Sequence, residues 1–234
     1  MEFQKTRKAR TAKVEAKLKG LRRGLEKGLL CSGIFSDPEF FDLEVERLFR
    51  RAWLYVGHES EVPRPGDYVE RNLLGDSFIL VRGKDGKLRL LLNKCRHRGN
   101  MVCGAERGNA SAFRCPYHGW VYDNTGDLAA VPVLEAYGGN LNRAEWGLVP
   151  VPRLDQYNGL IFANLDPRAP SLDDYLGEMK WYLDMITKRS DAGLEVVGTP
   201  HRWIMNANWK YPAENFAADA LHAGFVHDSL MEIG

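Results

Sequence analysis

The chain has 234 residues, of which 44% are hydrophobic and 27% charged, and its formal net charge is +1. This composition is typical of a globular protein with enough residues to bury a core in one large domain or two smaller ones. No apolar run approaches the roughly 18 residues that a membrane-spanning helix needs, and the first residues lack the apolar core of a secretory signal. We therefore expect a cytoplasmic protein without a membrane partner, whose cysteines stay reduced unless a metal binds them.

Residues 1–28 form a basic arm, with ten Lys or Arg against three Glu. Apolar residues recur in the arm at steps of three and four, which predicts a helix that docks by one apolar stripe. The stripe consists of Val14, Leu18, Leu21, Leu25 and Leu29. Phe3 is the one aromatic residue of the arm, so we expect no nucleic-acid partner, while contact with an acidic protein or a neighbouring subunit stays open.

A second helix is predicted over residues 36–53. Ser36 can cap it, and Pro38 suits its first turn. Its predicted apolar face consists of Phe40, Leu43, Val45, Leu48 and Phe49.

Short β-rich runs follow from about residue 53, and turn signals at Gly75-Asp76 and at residues 84–86 separate the first of them. The runs lie at 68–74, 77–83 and 88–93, around Phe113, and at 120–122, 148–151 and 159–164. This pattern predicts a small all-β domain of antiparallel strands over residues 52–166.

Four potential metal ligands stand within this β region, as Cys95-Arg-His97 and, after seventeen further residues, Cys115-Pro-Tyr-His118. Each half carries one thiolate and one imidazole on a short loop with Gly or Pro, which can turn both side chains inward. Zinc fingers usually pair Cys with Cys and His with His, so a structural zinc site is the weaker alternative. One Cys and one His per loop is the arrangement of a Rieske-type 2Fe-2S cluster, with Cys on one iron and His on the other.

The other two cysteines, Cys31 and Cys103, belong to no paired motif, and we expect both to be small buried hydrophobes.

The C-terminal third reads as helical with one extended stretch at 195–209. A single amphipathic helix is predicted over 171–188, and Pro212 opens a second, Ala-rich helical stretch. The residues expected to face inward on the first helix are Leu172, Tyr175, Leu176, Trp181 and Met185.

His222 and His227 lie five residues apart in the second stretch. On a regular helix their rings would point roughly 140° apart, so a shared metal requires a distorted helix, which Gly224 would make easiest. Asp219 lies on the face of His222, where it can accept the ring proton. Taken alone, the two histidines are more typical of a protein core than of a metal site.

With both motifs in view, residues 37–234 resemble the large (alpha) subunit of Rieske non-haem iron aromatic-ring-hydroxylating oxygenases of the naphthalene and biphenyl dioxygenase type. The resemblance implies an α+β fold: an all-β Rieske domain with two cluster-binding loops and the N-terminal part of a mixed helix/sheet catalytic domain. The implied division is N-terminal helices over 1–51 that pack on the catalytic part, the Rieske domain over 52–166, and the start of the catalytic domain over 167–234.

The resemblance also implies roles for individual residues. Cys95, His97, Cys115 and His118 would hold the cluster. His222 and His227 would bind a mononuclear Fe(II), and Asp219 would be the catalytic carboxylate that links His222 to the cluster ligand His118 of a neighbouring copy.

The implied function is that of a terminal oxygenase that takes electrons, indirectly from NAD(P)H, from a ferredoxin or a flavin reductase. Its iron would activate O2 to hydroxylate an aromatic ring, in a homotrimer with or without a small beta subunit. The third iron ligand would be a carboxylate far beyond Gly234, so we expect a truncated chain that is inactive alone. A Rieske electron-transfer module without catalysis is the alternative, a zinc-stabilised interaction domain is a third, and the sequence does not name the aromatic substrate.

Overall fold

The computed structural model describes residues 2–217 and 220–233, without the side chains of residues 2–13, 220, 230 and 231. The chain divides into two compact units, one of Met1–Glu44 with Pro200–Gly234 and one of Val45–Thr199. The division at residues 51 and 166 expected from the sequence stays a prediction. Within the described residues, no helix has the length and apolarity needed to cross a membrane.

The unit Val45–Thr199 contains three described sheets, in which every pair of neighbouring strands is antiparallel. The first sheet has the order β1-β10-β9, with β1 at Leu54–His58, β9 at Arg153–Tyr157 and β10 at Leu160–Asn164. The second has the order β4-β3-β2-β5, with β2 at Asp67–Leu73, β3 at Asp76–Arg82, β4 at Leu88–Leu92 and β5 at Arg107–Asn109. The third has the order β6-β7-β8, with β6 at Ala112–Arg114, β7 at Val121–Asp123 and β8 at Leu128–Ala130.

These sheets confirm the predicted α+β class with an antiparallel β domain. The β2–β3 hairpin turns at Leu74 and Gly75, whose φ angles are +54° and +88°, as a tight two-residue turn requires. The predicted strand at 148–151 is wrong, because only an isolated bridge joins Leu91 to Pro150. Proline lacks an amide donor, so Pro150 and Pro152 prevent a continuous ladder there.

Two apolar clusters form the core of this unit. One lies between the first two sheets and is built mainly from β-branched and leucine side chains, including Val62, Leu80 and Ile161. The other contains Trp120 and Tyr122 together with three cysteines, Cys95, Cys103 and Cys115. The predicted metal-binding loops therefore start from a rigid, packed base.

The single helix expected over 171–188 is two helices, α4 (Leu172–Leu176) and α5 (Met179–Thr187). The break is at Gly177, whose φ of +45° and ψ of −127° end the first helix. Of the side chains expected to face inward, Leu172 is buried, whereas Tyr175, Trp181 and Met185 are 48%, 61% and 57% exposed.

The polar side of α5 is the side that docks. Asp184 accepts hydrogen bonds from Tyr157 and Asn158, and Asn158 also donates to Thr187. The apolar residues of α5 are therefore left on its outer side, which periodicity alone does not distinguish from an inner one.

The other unit is helical in its described part. Its helices are α1 (Glu2–Leu25), α2 (Gly33–Ser36), α3 (Pro38–Glu44), α6 (Lys210–Ala217), α7 (Ala223–Val226) and α8 (Asp228–Glu232). The stripe on α1 is buried at Val14, but Leu25 and Leu29 are exposed, and Leu29 lies beyond the helix end. The described stretch 193–208 has neither helix nor strand, in line with the extended chain expected at 195–209.

Three further expectations for the region 31–53 are corrected. Ser36 ends α2 instead of capping α3, and the amide of Glu39 bonds to the side chain of Asp37 at 2.9 Å, so Asp37 is the cap. The helix predicted over 36–53 is α-helical only over Pro38–Glu44, and one π-helical turn, Val45–Phe49, follows it. Cys31 is exposed, while Cys103 is buried as expected.

Candidate metal centres

The two cysteine loops repeat one backbone pattern. Each cysteine amide donates to the carbonyl five residues later, and the amide of the glycine four residues after the cysteine donates back to the cysteine carbonyl. These N···O distances are 2.7 and 2.8 Å around Cys95 and 2.8 and 3.0 Å around Cys115. The two glycines, Gly99 and Gly119, have φ of +75° and +73°, which only glycine adopts without strain. The chain thus presents its two Cys/His pairs on loops of the same construction.

Both cysteine sulfurs lie inside the protein, since Cys95 is 3% and Cys115 is 2% exposed. The hydroxyl of Tyr122 accepts a bond from the backbone amide of Arg96 at 2.9 Å and lies 3.2 Å from Cys95 Sγ. A metal-bound thiolate has no proton to give, so in the loaded site the hydroxyl of Tyr122 would donate to the sulfur. Burial and then the bond to Cys95 raise the pKa of the Tyr122 hydroxyl, so Tyr122 stays a donor.

The environment of Cys115 favours a thiolate. Burial acts to raise the pKa of this thiol, but hydrogen bonds outweigh it and leave the pKa below its ordinary value. The groups that lower it are the backbone amides of Tyr117 and His118 and the side chains of Cys95 and Asn100. Thiolates are the form of cysteine that binds metals.

The two imidazoles lie side by side, with ring centroids 4.6 Å apart and an angle of 69° between their planes. His97 stacks on the buried indole of Trp120 at 5.1 Å and 8°. His118 lies against Tyr117, with ring centroids 3.8 Å apart. Aromatic neighbours therefore fix the orientation of both rings.

His97 carries a buried nitrogen, Nδ1, for which the described part of the chain offers no hydrogen-bond partner. A buried polar atom left unpaired costs free energy, and a bound metal would satisfy it. Burial, followed by the charges of His118 and Arg98, lowers the pKa of His97 and keeps the ring neutral, as metal binding requires.

The two imidazoles are neighbours, and the side chain of Cys95 is a hydrogen-bond partner of Cys115, so the four side chains group by type. In the described residues, no three His, Cys, Asp or Glu side chains converge as the ligands of a single metal ion would. Two sulfurs beside two imidazoles suit a binuclear cluster in which each iron takes two protein ligands. The arrangement therefore favours a 2Fe-2S cluster over the zinc alternative.

The second histidine pair is also brought together. The rings of His222 and His227 have centroids 5.4 Å apart at 70°, although the residues are five apart in sequence. The helix is interrupted as expected, but Gly224 is inside α7. The irregular positions are the 3-10 turn Ala220–His222 and His227, which separates α7 from α8. Asp219 lies outside the described residues, and no described carboxylate joins the pair as a third ligand.

Sequence reasoning missed the aromatic residues that contact the ligands, Trp120 and Tyr122. A signal existed: both follow His118 closely, and buried Tyr and Trp usually need a partner for their polar atom. The sequence did not show which loop they would contact, because Tyr122 bonds to a cysteine 27 residues earlier.

A domain of antiparallel sheets that carries two such Cys/His loops is a Rieske-type domain. A family profile for the Rieske [2Fe-2S] domain matches residues 52–153.

Comparisons with known proteins extend the similarity beyond this domain. Naphthalene 1,2-dioxygenase from Rhodococcus sp. superimposes with a TM-score of 0.86 at 52% identity, over 93% of this chain and 50% of that one. The alpha subunit of N,N-dimethyl phenylurea N-demethylase from Sphingobium sp. is 46% identical over 91% of this chain and 46% of its own length. The alpha subunit of biphenyl 2,3-dioxygenase from Rhodococcus jostii is 44% identical over 84% and 43%.

The chain belongs to the family formed by the large subunits of Rieske non-haem iron aromatic-ring-hydroxylating oxygenases. It spans about half the length of the curated relatives it matches.

Proposed function

We propose that the chain carries a Rieske 2Fe-2S cluster on Cys95, His97, Cys115 and His118, and that the protein is the terminal oxygenase of an aromatic-ring-hydroxylating system. The observation that carries this proposal is the pair of Cys/His loops with the same backbone pattern, which bring two buried thiols and two imidazoles together on one packed base. When bound, the cluster supplies a one-electron centre with a potential of roughly −150 to +300 mV, above that of an all-Cys cluster because neutral imidazoles replace two thiolates.

The protein's own residues prepare this site. Burial of both cysteines keeps water from the sulfurs, and the Tyr122 hydroxyl, 3.2 Å from Cys95 Sγ, is placed to donate to that sulfur once it is a thiolate. The two imidazoles are only half-buried, so another protein or subunit can contact the site at their outer edges. Electrons would enter and leave at this edge.

The second proposed site uses His222 and His227 to hold a mononuclear Fe(II), whose role when bound is to activate O2. Their 5.4 Å ring separation supports a shared ion. A two-His, one-carboxylate triad needs one more ligand, and the described residues place no carboxylate beside the pair. Asp219 is proposed to accept the ring proton of His222 and connect it to the cluster of a neighbouring copy.

The proposed partners follow from the same family. Electrons would come from a ferredoxin or a flavin reductase, and ultimately from NAD(P)H. The relatives are named as alpha subunits or, in Ralstonia sp., as the large oxygenase component of a naphthalene 1,2-dioxygenase system, which supports a multi-component assembly. We propose a homotrimer for this chain, with or without a small beta subunit.

A second candidate reaction is oxidative N-demethylation of an aromatic amide or amine. The observation that favours it is the 46% identity to a phenylurea N-demethylase alpha subunit. Both reactions would use the same two metal sites, so the residues described above do not separate them.

Product analysis separates these candidates from each other and from a pure electron carrier. A form of this chain extended to the length of its curated relatives, supplied with reductase, ferredoxin and O2, would be given naphthalene and an N,N-dimethyl phenylurea in parallel. Hydroxylated naphthalene supports the proposal, and a demethylated urea as the sole product supports the second candidate. Reduction of the cluster without any product, at full iron content, would overturn both and leave an electron-transfer module.

A further inference from the structure

Asn93 is a buried polar residue just before the first metal-binding loop. It follows β4, lies two residues before Cys95 and is 1% exposed. Its carboxamide makes four hydrogen bonds, two through Nδ2 and two through Oδ1. Nδ2 donates to Ser77 Oγ at 3.0 Å and to the Cys103 carbonyl at 2.7 Å, and Oδ1 accepts from the amides of Val102 and Cys103 at 3.1 and 2.9 Å.

These bonds fasten the returning end of the first loop. Val102 and Cys103 are 7% and 6% exposed, so their backbone groups are away from solvent and need partners inside the protein. One side chain satisfies three of them. No disulfide holds this end of the loop, since all four cysteines are free.

The two Cys/His loops differ in what joins the chain entering the loop to the chain leaving it. The second loop, around Cys115, leaves β6 and returns on β7, and these strands pair directly through Arg114 and Val121. The first loop leaves β4 and leads to β5, and these strands are at opposite edges of their sheet, which has the order β4-β3-β2-β5. Strand pairing therefore closes the second loop and does not close the first.

We propose that Asn93 is a positioning residue for the cluster: its carboxamide closes the base of the first loop, as β6–β7 pairing closes the second, and so holds Cys95 and His97 in place for the metal. This inference rests on the proposed cluster site. Asn93 does not touch the cluster ligands' metal-binding atoms, and it acts through the backbone of Val102 and Cys103. Groups that hydrogen-bond metal ligands directly typically change metal affinity or activity 10- to 100-fold when they are altered, and Asn93 acts one contact further out, so we expect an effect at the lower end of that range.

The test compares Asn93→Asp with Asn164→Asp in the full 234-residue chain, reconstituted with iron and sulfide. Asn164 is the matched control, because it is fully buried and makes two hydrogen bonds, to the Arg51 carbonyl at 3.0 Å and from the Asp166 amide at 2.8 Å, in the sheet of β1, β9 and β10. We expect iron loss to a chelator to be roughly 10-fold faster in Asn93→Asp, with a changed EPR spectrum of the reduced cluster. Asn164→Asp should keep the parent rate and spectrum, even where its melting temperature falls. An unchanged rate of iron loss and an unchanged EPR spectrum in Asn93→Asp would overturn the proposal, as would equal changes of rate and spectrum in both variants.

Amide hydrogen exchange in the metal-free chain separates this inference from the proposed function. The amides of Val102 and Cys103 should be protected in the parent and in Asn164→Ser, and should lose protection in Asn93→Ser. The serine variants also serve where an aspartate variant does not fold. A parent chain that assembles no cluster refutes the proposed function, whereas unchanged exchange at these two amides in Asn93→Ser refutes the role of Asn93.

Discussion

Cys115 and Cys103 provide the simplest test of the ligand assignment. Both are buried, but Cys115 lies beside the other proposed ligands, whereas Cys103 Sγ bonds to the Ala105 carbonyl at 3.6 Å. We expect Cys115→Ser to remove the visible absorbance of the reconstituted chain, because a serine hydroxyl does not replace a thiolate ligand. Cys103→Ser should keep it. Absorbance lost in the Cys103 variant would contradict the assignment.

Tyr122→Phe tests the hydrogen bond to the cluster sulfur. A donor to the sulfur stabilises the more negative, reduced state, so its removal should lower the reduction potential by on the order of 50 mV, equivalent to about 1 kcal/mol. The measurement is a redox titration followed by EPR. Tyr157→Phe is the control, because the Tyr157 hydroxyl bonds to Asp184 instead. An unchanged potential in Tyr122→Phe would show that this bond does not tune the site.

At the scale of residues, the sequence predicts the ligands better than their surroundings. The order Cys-x-His, Cys-x-x-His places four ligands of two residue types within 24 residues, and local spacing carries that information. The partners of these ligands come from other loops: Tyr122 reaches Cys95, and Asn93 reaches Cys103. Such pairs depend on how strands are arranged in the sheets, which spacing does not reveal.

The β7–β8 turn is an element whose stability should depend on pH. Oδ1 of Asp123 accepts from the Thr125 hydroxyl and amide and from the Asp127 amide, at 2.6, 2.9 and 3.0 Å, and Lys84 Nζ donates to Oδ2 at 2.8 Å. Burial acts to raise the pKa of Asp123, but the bonds from Lys84, Thr125 and Asp127 outweigh it and hold the pKa below its usual range. A depressed carboxyl pKa adds stability above the unfolded pKa, and this stability is lost as pH falls through the folded pKa.

We therefore expect Asp123→Asn to lower the free energy of unfolding by about 1 kcal/mol at pH 7, and by less at pH 3. Urea unfolding at the two pH values measures both quantities. The exposed Asp173, changed to Asn, is the control and should alter stability little at either pH. A loss of stability in Asp123→Asn that grows as pH falls would show that ionised Asp123 does not stabilise the fold.

Among elements, strands were easier to predict than helices. Alternating apolar residues and Gly turns gave β2, β3, β4 and β10 within a residue or two, while the short strands β1, β5, β8 and β9 were not identified individually. The prediction of one helix over 171–188 was wrong in two respects. Gly177 breaks the helix, and α5 packs through its polar residues Asp184 and Thr187 instead of its apolar face. Periodicity gives the width of an apolar face but not the surface that covers it.

For the molecule as a whole, the histidine pair predicts a limit on what these 234 residues do alone. Two neutral imidazoles bind Fe(II) weakly, since the carboxylate of the triad supplies charge and a fixed position. We expect the reconstituted chain to hold the same amount of iron as its His222→Ala variant, and to form no hydroxylated product with reductant, Fe(II), O2 and an aromatic substrate. Additional iron that is lost in His222→Ala, or substrate-dependent product shown by mass spectrometry, would require a third ligand from Asp219, Asp228 or Glu232.

Family membership was predictable from the order and separation of the two motifs, and the comparisons confirm it. The substrate was not predictable, because the described residues offer few walls for a pocket around the histidine pair. Phe216 and Phe225, the aromatic residues nearest this pair in sequence, are each 89% exposed.

We propose that the two Cys/His loops hold a 2Fe-2S cluster with two cysteine and two histidine ligands, and iron and sulfide analysis of the purified chain, with pulsed EPR of the reduced sample, is the decisive measurement. We expect two irons and two sulfides per chain and hyperfine coupling to the nitrogens of two histidines, with the coupling of one lost in His97→Cys. Zinc in place of iron, or a cluster without nitrogen coupling, would contradict it.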